Sequence, residues 1–183
     1  MSKRPFILAV DPGNKESAFC LCSPDLHPLA FGKIENGEWL ERSIDTALID
    51  NKCLPGNTVI VIEDMESFGM PVGRSVLDTE RYIGELTREY GKYGNFHIAY
   101  VYRHEEKMMI CHSAKANDAT IKQALVDRFA GGEPNYGKGT KKAPGFFYGF
   151  SKDVWSAFAQ CVTYHDKYIK DPEDLLHMDE LPF

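Results

Sequence analysis

Residues 7–14 read ILAVDPGN. Four apolar residues run into an acid, a proline and a glycine, so a buried strand ends on Asp11 and the chain turns at once. Residues 58–64, TVIVIED, repeat the pattern and end on Glu63 and Asp64. Continuous Val/Ile runs of this kind suit central strands covered on both faces. A third acid, Asp153, opens the last amphipathic stretch, SKDVWSAFAQCVTYHDKYI.

The rest of the chain supplies the connections. ESAFCLCS alternates and reads as a second strand, and HPLAFGKIE as a third, so the first three strands form an antiparallel meander. NGEWLERSIDTALIDNK carries Trp39, Leu40, Ile44, Ala47 and Leu48 at helical spacing. GRSVLDTERYIGELTREYGKYG reads as a helix of about five turns with Val76, Tyr82, Ile83 and Leu86 as its apolar stripe and Gly91 as its stop. FHIAYVYRH is a strand, and KMMICH continues or pairs with it. NDATIKQALVDRFAGG is a helix capped by Asn117 or Asp118. NYGKGTKKAPGFFYGF is a loop leading into the final helix. The sum is a single α/β domain over residues 1–170, a mixed five-stranded sheet flanked by helices, followed by an acidic tail over 171–183 that is expected to be flexible.

Ligands of open sheets bind beyond the carboxyl ends of parallel strands. If the strands ending at Asp11 and Glu63 are adjacent and parallel, their carboxylates sit side by side. Such a pair drives one member to protonate unless a cation neutralises it. Mg²⁺ takes hard oxygen ligands, and two such ions about 3.5–4 Å apart can activate water and stabilise the leaving oxygen of a phosphodiester. Taken singly, each acid has a plainer reading: an Asp-Pro-Gly turn, a strand ending in solvent, and a charge at a helix N-terminus.

The ordered segments resemble the RuvC-like Holliday junction resolvases of the RNase H-like superfamily. ILAVDPGNKESAFCL is similar to their opening, VIVIEDMESFGMPVGRSVLDTERYIGEL to their fourth strand and next helix, AKANDATIKQALVDRF to a later helix start, and KDVWSAFAQCVTY to their final helix. The likeness spans about residues 5–166, and the Gly-Met-Pro-Val-Gly and Gly-Lys-Gly-Thr-Lys-Lys stretches look closest to phage and prophage versions. It implies an RNase H-like fold and a structure-selective DNA endonuclease that resolves branched DNA. It also implies Asp11, Glu63 and Asp153 as catalytic metal ligands, two Mg²⁺ ions (or Mn²⁺ in their place) and a homodimer joined through the helix from Gly73 to Tyr90. One departure stands out. The bacterial resolvases carry a second acid three residues on in the last helix, where this chain has Ser156. Asp64 or Asp118 would compensate, or three acids suffice.

Net charge is −6, yet five acids and no Lys or Arg fall in residues 171–183, and the remainder holds 22 acids against 21 bases. A basic surface is therefore allowed. Residues 135–152 hold no acid, four lysines (Lys138, Lys141, Lys142, Lys152) and the aromatics Phe146, Phe147, Tyr148 and Phe150. Lysines neutralise phosphates and exposed aromatics stack on unpaired bases; the competing reading is a solvated loop whose aromatics pack into the core. Arg74, Arg81, Arg103, His104, Lys107 and Lys115 are further phosphate candidates, Lys115 the best placed among them. The terminal MDELPF is similar to the acidic tip of bacterial single-stranded DNA-binding proteins, which suggests a repair-protein partner or a tail folded over the DNA cleft.

Five cysteines, with no CxxC pair, argue for reduced thiols in a cytoplasm and against a zinc ribbon; Cys111-His112 is disfavoured as a metal pair because strand neighbours point to opposite faces. No apolar run approaches the ~18 residues of a membrane span. Two other classes remain open: a catalytically weak junction-binding protein, motivated by Ser156, and an actin-like or sugar-kinase-type phosphotransferase, which needs a second domain and a second Gly-rich motif.

Overall fold

The computed structural model describes residues 4–66 and 71–169. The acidic tail, its proposed partners and the first two residues of the Gly-Met-Pro-Val-Gly stretch lie outside the described residues. In order, the elements are β1 (Phe6–Asp11), β2 (Glu16–Cys22), β3 (Pro28–Glu35), α1 (Glu38–Asp50), β4 (Thr58–Asp64), α2 (Arg74–Leu86), β5 (His97–Tyr102), α3 (Arg103–Cys111), α4 (Asp118–Phe129) and α5 (Lys152–Tyr168). A π-helical segment, Thr87–Tyr93, extends α2, and a short 3₁₀ turn, Asn135–Gly137, precedes the Lys-rich loop.

The sheet order is β3-β2-β1-β4-β5. β1 pairs antiparallel with β2 and parallel with β4, and β4 pairs parallel with β5. Alternation along β1 sends Ile7 and Ala9 to a core shared with α4 and α5, and Leu8 and Val10 to a core shared with α1 and α2. Helices thus cover both faces, which is why the central strands read as unbroken apolar runs. The α5 side is the larger core, with Ala157, Phe158, Cys161, Val162 and Tyr164 fully buried.

The turn after Asp11 depends on Gly13: a Cβ there would lie 2.3 Å from the Glu16 carbonyl oxygen. Ser17 Oγ accepts the Gly13 N–H and donates to Asn36, whose amide returns to the Gly13 carbonyl. These bonds fix the chain reversal that carries Asp11.

Four sequence expectations need correction. KMMICH does not extend the sheet; Lys107 to Cys111 lie in α3 and His112 caps it, and the Glu105 carboxylate accepts the Tyr102 backbone N–H at 3.0 Å and secures the first turn. Gly91 does not stop the helix. The π-helical segment passes through it to Tyr93, and its missing Cβ admits Ile98, which would lie 2.9 Å away. Trp39 leaves the apolar stripe of α1 and is exposed, while Leu40, Ile44, Ala47 and Leu48 are buried. Phe147 and Phe150 do not face DNA: they are buried, ringed by Phe129, Trp155 and Phe158. Of the loop aromatics Tyr136 and Tyr148 are exposed; Phe146 is half-buried against Phe129.

Candidate active site

The register builds the site. Val10 pairs with Ile62, so the next residues, Asp11 and Glu63, stand side by side at the carboxyl ends of two parallel strands. On the other side Asp11 pairs with Ala18, and Ala18 with Lys33. The row across this face of the sheet therefore runs Lys33, Ala18, Asp11, Glu63, Val101. The small Ala18 leaves open the space above it. Lys33 Nζ reaches Asp153 at 2.8 Å and Glu16 at 3.2 Å. Asp153 stands in the first turn of α5, which packs over the same face. The three acids singled out in the sequence thus converge.

Their electrostatics are unfavourable in the bare protein. Burial, then the charge of Glu63, pushes the Asp11 carboxyl up to about 8, and the two groups share a hydrogen bond. Burial also raises Glu63, against the pull of Arg103 and a 2.9 Å hydrogen bond donated by Gln160. Lys33 is raised chiefly by its hydrogen bond to Asp153. A polar cavity of about 370 Å³, lined by Asp11, Glu16, Lys33 and Asp153, opens beside the pair at Asp11. Three carboxylates with hard oxygen donors, two of them half-buried and hydrogen-bonded to each other, fit a divalent cation that would take the place of the proton between them.

Asp64 does not join them. It is the strand neighbour of Glu63 and points to the opposite face, where burial, and after it the Asp64 charge, raises Glu80 on α2. Its own Oδ1 accepts the Met65 N–H. Asp118 lies closer: it is the first residue of α4, ion-paired with Arg103, while Asn117 is the cap, accepting the Thr120 N–H at 3.0 Å. Ser156, one helical turn after Asp153, lines a second cavity of about 310 Å³ together with Arg103 and Asp118.

The basic candidates separate. Lys138 and Lys152 line that second cavity, and Lys138 Nζ also donates to the Phe150 carbonyl. Lys141, Lys142 and Lys115 are exposed. Arg74 and Arg81 both pair with Asp78, and His104 bonds Glu66 at 2.7 Å. Sequence reasoning missed Lys33, Glu106 and Gln160. Gln160 lies seven residues after Asp153, two helical turns along the same face, and a polar residue inside AFAQCVTY was a usable signal. Glu106 sat between two segments read as strand, and Lys33 becomes visible only through the register.

Lys33 competes with any cation for Asp153. Lys33→Met is expected to tighten Mn²⁺ binding about 2–5-fold, since a half-exposed ion pair is worth little. Isothermal titration of the full-length protein measures this; weaker binding would mean that the ammonium instead holds Asp153 in place for the ion.

The fold has solved counterparts. RuvC of Thermus thermophilus in complex with a Holliday junction substrate aligns with a TM-score of 0.58 at 10% identity, over 88% of this chain and 93% of that one. A further structure of Thermus thermophilus RuvC gives 0.54 at 11% identity with the same coverage. No family model and no curated protein matches the sequence. The mixed five-stranded sheet with its helices is an RNase H-like fold of the RuvC kind.

Proposed function

We propose that this protein is a divalent-metal-dependent, structure-selective DNA endonuclease that cuts Holliday or other branched junctions, with Mg²⁺ as its metal and a phage or prophage chromosome as its setting. The observation that carries the reading is the parallel pairing of β1 with β4, which sets Asp11 beside Glu63 beneath Asp153. These residues would hold the metal. When bound, the metal would supply a water of lowered pKa and polarise a phosphate oxygen.

The chain's own groups do the rest. Asp11 and Glu63 are fixed by backbone pairing, so little reorganisation accompanies loading. Gln160 holds Glu63 in one orientation. In the reaction the water oxygen bonds phosphorus, one P–O bond to a nucleoside breaks, and the departing oxygen takes up a proton. Lys141, Lys142, Lys115 and Arg74 would neutralise phosphates flanking the cut. Exposed Val72 and Leu77 beside and on α2 support a two-fold contact there, which would bring two sites to two strands of a junction.

The test is a synthetic four-way junction incubated with full-length protein and Mg²⁺. Paired nicks at symmetric positions are expected, with linear duplex of the same sequence left intact. Tight junction binding without cleavage would favour a binding protein on the same fold, the reading motivated by Ser156. ATP turnover without cleavage would favour the phosphotransferase.

A further inference from the structure

We propose that Arg103 is the second cation of this centre, contacting a phosphate oxygen where a two-metal site would hold its second ion, so that the centre takes a single divalent metal. This rests on the nuclease reading and departs from the two ions that the sequence resemblance implies.

Four observations carry it. First, Ser156 lies one helical turn after Asp153 and offers a hydroxyl in place of a carboxylate. It lines the 310 Å³ cavity together with four basic side chains, Arg103, Lys122, Lys138 and Lys152, and one acid, Asp118, which is already paired with Arg103, so the seat that an acid would prepare for a metal is basic on balance. A divalent ion within about 4 Å of a guanidinium there would be repelled by several kcal/mol. Second, Arg103 follows β5 two residues after Val101, the partner of Glu63 in the sheet, and its charge is felt by both Glu63 and Asp11.

Third, Arg103 is held in place. It pairs with Glu106, whose side chain is fully buried, and with Asp118. Two of its five N–H donors are thereby engaged, and the planar fork keeps others for a phosphate. Fourth, this anchor is expensive. Burying an ion pair costs several kcal/mol of desolvation, and Glu106 Oε1 has no partner among the described residues. An apolar pair would stabilise the fold better, so the placement points to use at the adjacent carboxylates. An arginine can stabilise the charge of a phosphoryl transition state with no metal in its place, as arginine fingers do.

The experiment counts Mn²⁺ per chain by electron paramagnetic resonance on the full-length protein, alongside Mg²⁺-dependent junction cleavage. Wild type is expected to bind one Mn²⁺. The double variant Arg103→Gln/Ser156→Asp, which exchanges the organic cation for a carboxylate, is expected to bind two. Arg103→Lys is expected to bind one ion as wild type does and to cleave at least about 10²-fold more slowly, because a point charge does not replace the fork. Two ions on the wild type, one on the double variant, or Arg103→Lys within threefold of wild-type cleavage overturns the proposal. If wild type binds no Mn²⁺ at all, the metal-dependent nuclease reading falls with it, which separates the two failures. Should the double variant not fold, adding Glu106→Gln removes the unpaired buried charge, and the same count is read.

Discussion

Asp11→Asn is expected to lower junction cleavage by about 10³-fold or more while leaving junction affinity in Ca²⁺ within a few-fold of wild type. The same change should stabilise the metal-free protein. The Asp11 carboxyl takes up its proton near pH 8 in the folded chain and near 3.8 unfolded. Its contribution is therefore favourable at low pH and is lost as pH rises through about 8. An Asn at position 11 keeps the hydrogen bond to Glu63 and carries no charge to lose. At pH 8, in chelator, the variant should be more stable by on the order of 2 kcal/mol, which raises Tm by about 4–8 °C. The gap should close toward pH 4 and below, where the wild-type group is protonated in the folded and the unfolded chain alike. Thermal melts across pH, with and without Mg²⁺, measure it. A Tm for Asp11→Asn equal to or below wild type at pH 8 would mean that the carboxylates do not repel, and the case for a cation between them would weaken accordingly. A residue that costs stability while improving a site is the usual signature of function.

Phe147→Ala is expected to be the most damaging single truncation outside the site. The ring is fully buried, 4.4 Å from that of Trp155 and edge-on to Phe146, Phe150 and Phe158. Deleting such a ring costs about 3–5 kcal/mol in transfer and cavity terms, or roughly 10 °C in Tm. Junction affinity measured well below the melt should hold. The opposite pattern, an unchanged Tm with affinity lost tenfold, would mean that the loop aromatics stack on bases after all. The packing also explains how the Lys-rich loop serves the site. Phe147 and Phe150 staple it to α5, so Lys138 and Lys152 stand at the cavity wall while Lys141 and Lys142 stay in solvent.

Much of this was legible in the chain. The apolar strands, the α1, α2, α4 and α5 segments and the turn at Pro12-Gly13 are local patterns, and local physics sets them. Residue 103 onward was not legible, for a physical reason. Tyr102 ends a strand and α3 starts at the next residue, with no glycine or proline between them, while Met108, Met109 and Ile110 form an apolar run that suits either state. Only the Glu105 carboxylate on the Tyr102 N–H marks the start. Misreading that segment hid Glu106, and with it the reason for Arg103 to be more than a surface phosphate contact. The aromatic loop failed differently: glycines and lysines signalled exposure, and burial of its phenylalanines depends on partners from α4 and α5, as the packing of Phe147 against Phe158 shows.

The sequence by itself determined that acids end two buried strands and open the last helix, because strand burial and helix starts are written in short-range periodicity and turn chemistry. The tertiary structure alone decided which acids meet. The pairing of Val10 with Ile62 joins residues 52 apart in the chain, and the row from Lys33 through Ala18 to Asp11 spans three strands. Strand register is a long-range choice, and a shift of one residue would have sent Glu63 to the other face and brought Asp64 to this one. That choice sets Asp11 beside Glu63 and, at the start of α5, lines one cavity with Asp11 and Asp153 and another with Ser156 and Arg103.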